Sequence, residues 1–159
     1  MLYRSAVLLA ALSLSACGFQ LRGAATLPPE MAKTYIEATN RHSLFYRGIR
    51  DGLRNAGVSL VESANDATAI FAVRGDQTGQ RVLSVSARNV PREFEVYYTV
   101  NYNVETTNRV ILADKQQTLT RDYTWDETLV LGKEKEEQLL REAIVNDLVR
   151  VILIQLSAT

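Results

Sequence analysis

Phe94, Val96, Tyr98, Val100, Tyr102 and Val104 alternate without a break along one stretch of the chain, and Glu93, Glu95, Tyr97, Thr99, Asn101, Asn103 and Glu105 fill the positions between them. Successive side chains of a strand point to opposite faces. One apolar and one polar set at a period of two therefore describe a strand with a buried side and a wet side. That is the pattern of an antiparallel sheet covered on one face only. The rest of the chain must supply the cover and the neighbouring strands.

Two helices supply the cover. Phe45, Ile49, Leu53 and Ala56 recur at helical spacing, with Arg47, Arg50, Asp51 and Arg54 on the other side. Asn40 to Ser43 can start this helix, and Gly57 suits the position just past its end, where positive φ is cheap for glycine. The second helix opens at Lys133 and carries Leu140, Ile144, Leu148, Ile152 and Leu156 in steps of four. Glu134, Glu136 and Glu137 fall in its expected first turn, where the helix dipole favours anions. Its run Val151-Ile152-Leu153-Ile154 is expected to be its fully buried end.

Further strands are expected over Lys33 to Thr39 and Val110 to Trp125, the latter with Leu119, Arg121, Tyr123 and Trp125 on one side. Val58 to Val61 is a short run leading back to the sheet. Ala69 to Ala87 holds two alternating pieces, Phe71 with Val73 and Leu83 with Val85, joined through Gly75 to Gly79, which reads as a bulge or turn. We expect one long strand with an irregular centre. Arg88-Asn89-Val90-Pro91 and Thr106 to Arg109 are turns, and Asp126 to Gly132 is a loop. The expected fold is an α+β two-layer sandwich, a mainly antiparallel sheet of about four strands with two helices packed on one face. It forms a single domain over 30–159.

The N-terminus reads as an address. Arg4 precedes the apolar run Ala6 to Leu14, about nine residues, where a spanning helix needs roughly 20. Leu14-Ser15-Ala16-Cys17 then resembles a bacterial lipobox, and Cys17 is the only cysteine. The resemblance implies a signal peptide over 1–16, cleavage before Cys17 and acylation there. Several acyl chains anchor a protein stably where one does not. Gly18 follows, not Asp, which by resemblance to the bacterial sorting rule favours the outer membrane. Residues 17–29, with Gly18, Gly23 and Pro28-Pro29, form a short tether.

Removal of residues 1–16 leaves 143, enough for one domain. With a single cysteine there is no internal disulfide, so stability must come from packing. The formal net charge is +0, and loss of Arg4 takes it to −1, so no basic excess attracts nucleic acid. His42 is the one histidine, which excludes metal sites built from His and Cys. Asp126-Glu127 reads as a solvated turn, and Gly75 to Gly79 lacks the Lys and Ser/Thr of a phosphate loop. No catalytic residues, cofactor or metal are expected. The chain reads as a binding or assembly protein rather than an enzyme.

Cys17-Gly18-Phe19-Gln20-Leu21-Arg22, the Arg88 turn with the Tyr-rich strand Glu95 to Val104, Arg121-Asp122-Tyr123-Thr124-Trp125-Asp126 and the helix opening at Lys133 come in the order found in the LPS-assembly lipoprotein family LptE, which this chain resembles over essentially its whole mature length. The resemblance implies a 1:1 partner, the outer-membrane β-barrel LptD, with the lipoprotein on the periplasmic side of the outer membrane and inside the barrel lumen. It implies lipopolysaccharide binding, and it carries two basic positions over, Arg88 in the turn and Lys133 in the loop opening the last helix. Arg92 is added from charge and position, since Arg and Lys suit phosphates and acidic sugars. A barrel lumen is polar, so the wet face with Glu95, Thr99, Asn101 and Asn103 is the expected barrel-facing surface. The alternative is an adaptor for another envelope complex, such as a cell-wall synthase. About 10 residues between Cys17 and the domain reach at most roughly 35 Å, which favours a partner at the membrane itself.

Overall fold

The computed structural model describes residues 26–124 and 130–159, with side chains in the last helix described from 135 onward. Cys17, Trp125, Asp126-Glu127 and residues 1–16, the expected signal peptide, lie outside the described residues, as does most of the expected tether over 17–29.

The elements run β1 (Lys33–Ala38), α1 (Leu44–Asn55), β2 (Ser59–Val61), β3 (Ala69–Val85), β4 (Pro91–Thr106), β5 (Val110–Thr124) and α2 (Val130–Ser157). The sheet has five strands in the order β2-β1-β3-β4-β5, where about four were expected. The fifth is the short β2. β1 pairs in parallel with β2 and β3, while the longer β3–β4 and β4–β5 pairings are antiparallel. The α+β class stands.

α1 forms where its local signals agree. Ser43 Oγ accepts from the Tyr46 N–H at 3.1 Å, capping the first turn. Gly57 has φ +87, and the Gly57 N–H donates to Arg54 O while the Val58 N–H donates to Leu53 O. This paired closure satisfies the last carbonyls. Phe45, Ile49 and Leu53 are wholly buried on one stripe. Full burial of such a side chain contributes about 1.5–3 kcal/mol.

α2 starts at Val130, so Val130 to Gly132 are helical rather than loop, and Lys133 lies within the first turn rather than ahead of it. Glu134, Glu136 and Glu137 therefore come after that turn's opening, where the dipole acts less. Ile144, Leu148, Ile152 and Leu156 are wholly buried, as the steps of four require. Of the run Val151 to Ile154 only Ile152 is fully buried. The other three sit beside the stripe, because a helix resting on a sheet buries a stripe and not its circumference.

β3 is one strand with irregularities at Val73/Gly75 and around Leu83. Arg74 is the extra residue of the first bulge, and it reverses the parity of the rest of the strand. Before it, Phe71 and Val73 face the core. Beyond it, Asp76 and Gln80 stand opposite the buried Val100 and Val96. Tyrosines satisfy them: Tyr98 Oη donates to Asp76 Oδ2 at 2.5 Å and Tyr123 Oη to Gln80 Oε1 at 2.9 Å. Phe71 stacks on Tyr102 at 5.7 Å and Phe94 on Tyr123 at 5.6 Å between ring centres.

Candidate functional site

β3 and β4 run out to a tight turn over Ser86 to Val90, away from β1 and β2. The Ser86 N–H donates to Val90 O and the Asn89 N–H to Ser86 O, both at 2.8 Å, and Ser86 Oγ accepts from the Val90 N–H at 3.2 Å. Asn89 takes φ 61, which asparagine tolerates. Arg88 sits at the apex of this turn and Arg92 just inside β4, both exposed. Neither makes an ion pair among the described residues. Arg81, nearby on β3, is paired with Glu95 at 2.5 Å. Free positive charge at the tip therefore comes from Arg88 and Arg92.

The tip is also apolar. Val82, Leu83, Val85 and Val90 are 47%, 46%, 52% and 36% exposed, four of the six large hydrophobic side chains exposed among the described residues. Sequence reading missed this group, because Leu83 and Val85 look like ordinary strand alternation. Their crowding around Arg88 was the available signal. Thr124 pairs with Glu93, so β5 ends at this same end of the sheet, and only 125–129 separate it from Val130. The topology thus brings the start of α2, where Lys133 lies, to the end that carries Arg88 and Arg92.

The sheet face away from the helices is polar, but less wet than its pattern suggests. Asn103 and Thr99 are only 7% and 6% exposed, Glu95 is half-buried, and Asn101 is exposed. β4 lies between two long strands, and side chains from both neighbours close over it. Arg74 Nε donates to Asn103 Oδ1 at 3.1 Å and its guanidinium reaches Glu37 at 3.5 Å. Thr99 and Thr118 share a hydrogen bond of 2.8 Å. The Tyr97 ring lies across Gly79, where a Cβ would come within 2.6 Å of Tyr97 Oη. The face is a pre-tied ladder, and Asn101 is the one exposed member of the expected four.

Three phenols have raised pKa values. Tyr102 is pushed up to about 12 by burial. Tyr98 is shifted upward by burial and then by Asp76, and Tyr123 by burial and then by Glu137 and Glu136. All three serve packing and internal hydrogen bonds. His42 is exposed and lies before the α1 cap. Among the described residues no group of His, Cys, Asp and Glu could hold a metal, and no helix is long and apolar enough to cross a membrane.

A family model described as "LptE: Lipopolysaccharide-assembly" matches residues 31–156. The LPS-assembly lipoprotein LptE of Yersinia enterocolitica is 28% identical over 152 residues, covering 92% of this chain and 72% of that protein. The LPS-assembly lipoprotein LptE of Yersinia pestis strain Pestoides F is 27% identical over 135 residues, and the match spans 65% of its length. Among solved structures, the solution structure of the uncharacterized lipoprotein B of Nitrosomonas europaea is similar at TM-score 0.72 and 29% identity, over 89% of this chain and 91% of that one. The rare lipoprotein B of Shewanella oneidensis shares the fold at TM-score 0.70 and 22% identity, over 79% of this chain and 94% of that one.

Proposed function

From the premise that this chain belongs to the lipopolysaccharide-assembly family LptE, we propose that it is an outer-membrane lipoprotein that braces a large β-barrel and engages lipopolysaccharide on its way to the outer leaflet. Acyl chains on Cys17 hold it at the periplasmic side of the outer membrane. The domain fills the lumen of an LptD-like barrel in a 1:1 complex. Its polar sheet face, with Asn101 outermost, meets the polar lumen wall, and its role is assembly rather than catalysis.

The observation that carries the lipid part is the β3–β4 tip. Arg88 and Arg92 are exposed and free of carboxylate partners among the described residues, beside Val82, Leu83, Val85 and Val90. Lipopolysaccharide is an amphiphile with phosphates beside acyl chains. Guanidiniums bind the phosphates by charge-assisted forks, and an exposed apolar patch beside them suits the chains. Lys133, at the same end of the fold, adds a point charge.

The test uses the mature acylated protein in detergent. Arg88→Glu with Lys133→Glu reverses two charges. Lipopolysaccharide binding is expected to fall at least tenfold while the thermal transition stays in place. Unchanged binding by the folded double variant overturns the lipid-binding role of this tip.

A further inference from the structure

At the other end of the molecule, α1 carries a second concentration of positive charge. Tyr46, Arg50 and Arg54 follow at intervals of four and so form one stripe of the helix. The stripe borders a shallow recess, open to solvent and enclosing only about 20 Å³, with β1 and the short edge strand β2 on its far side. Arg41, from the connection between β1 and α1, enters the same recess beside Tyr35. Three guanidiniums thus line it, against one carboxylate, Glu62.

Two features distinguish this group from a solvated basic face. Arg50 and Arg54 are like charges four apart on a helix, an arrangement that costs stability. Asp51 relieves only one of them, through Arg50 Nε at 3.3 Å, and leaves the two terminal nitrogens of Arg50 unused by that contact. Arg54 has no ion-pair partner among the described residues. Arg41, in turn, is held in place: its guanidinium donates to Tyr35 Oη at 2.8 Å and lies 5.7 Å from the ring centre of the same tyrosine. A cation over an aromatic face is stabilised there without losing its charge. Tyr35 accepts from Arg41, so its own O–H remains able to donate.

We infer that this recess is an anion site for a phosphate group, with Arg50 and Arg54 as the forked donors and Arg41, positioned by Tyr35, as the third arm. Planar guanidiniums match the paired oxygens of phosphate and keep their charge at any working pH. The site is separate from the hairpin tip. From Val73, which pairs with Ala38, to Val85 at the tip is roughly 40 Å along β3 at about 3.3 Å per residue. The phosphate belongs either to a soluble anion or to a lipid headgroup, and the two sources are separable by experiment.

Pyrophosphate is titrated calorimetrically into the mature acylated protein in non-ionic detergent, and a parallel titration uses micelles doped with phosphatidylglycerol. Saturable binding is expected in at least one arm, pyrophosphate alone indicating a soluble anion and phosphatidylglycerol alone a headgroup. Arg50→Gln with Arg54→Gln should weaken it at least tenfold, while Arg150→Gln, at an exposed arginine of α2 outside the recess, leaves it unchanged. Should the double variant fail to fold, Arg41→Gln, in an exposed connection, is expected to weaken binding several-fold. No saturable binding in either arm overturns the inference, as does a folded recess variant that binds within twofold of the parent protein.

Discussion

The Tyr98 hydroxyl donates to Asp76 Oδ2 at 2.5 Å and accepts from the Phe45 N–H at 3.3 Å. One phenol therefore joins the first turn of α1 to the part of β3 that the Arg74 bulge has turned round. It satisfies a carboxylate on the core side of the sheet and a helix N–H that has no partner within the helix.

Tyr98→Phe keeps the ring and removes both contacts. Hydrogen bonds to charged groups contribute about 1.5–3 kcal/mol and neutral ones about 1 kcal/mol. We expect a loss of about 2–3 kcal/mol in urea unfolding. In a cycle with Asp76→Ala the two changes should be less than additive by at least about 1 kcal/mol. Full additivity would show that the pair does not couple.

Gly52 governs how closely the helices pack. A Cβ there would stand 2.5 Å from Val149 Cγ1, and one at Gly48 would stand 2.9 Å from Val145 Cγ1. Alanine ordinarily gains about 1 kcal/mol over glycine within a helix, while overpacking costs about 1–3 kcal/mol. Gly52→Ala is expected to lower stability by about 1 kcal/mol net. Val149→Ala added to it should cost clearly less than Val149→Ala alone, because it makes the room. Thermal unfolding of the four proteins decides this.

The raised tyrosines set an alkaline limit. Their neutral forms are favoured in the folded chain, with Tyr102 pushed up to about 12 and Tyr98 and Tyr123 raised from their ordinary values. This stability is fully present below the ordinary phenol pKa of about 10 and is lost as pH rises through the folded values. Unfolding free energy should fall between about pH 10 and 12. Tyr102→Phe, which also forfeits the bond to Gln155 Oε1 at 2.9 Å, should lie lower at pH 8 and decline less steeply above pH 10.

Tyr97 packs over Gly79 on the outer face of the sheet. Gly79→Ala forces the ring aside and should destabilise by about 1 kcal/mol, by the same overpacking cost. In a Tyr97→Ala background the same change should be close to neutral or favourable, since alanine suits a strand better than glycine does. Urea midpoints of the two pairs test this.

Much of this fold can be read from periodicity. The alternation of Phe94 to Val104 gave β4 and its buried side, and the steps of four from Leu140 to Leu156 gave α2. Gly57 marked the end of α1. The features that escaped depend on neighbours. A single extra residue, Arg74, reverses the faces of β3, and no pattern around Gly75 to Gly79 reveals which residue is extra. The burial of Thr99 and Asn103 comes from β3 and β5 closing over the central strand, so the polar residues of β4 alone overstate the wet surface. Gly132 looked like the last residue of a loop, whereas α2 already runs through it. The parallel pairings of β1 with β2 and β3 leave no local trace. Of the candidate site, the charges of Arg88 and Arg92 were legible because turn signals place them, while the apolar residues beside them were hidden in strand alternation.

The most direct measurement is recovery of the protein, tagged at Thr159, from outer membranes solubilised in mild detergent. The account predicts that one large β-barrel is recovered in equal amount and that the complex survives salt, since a shape-filling contact is screened far less than a surface ionic one. Recovery of a cell-wall synthase, or of no barrel at all, would contradict it.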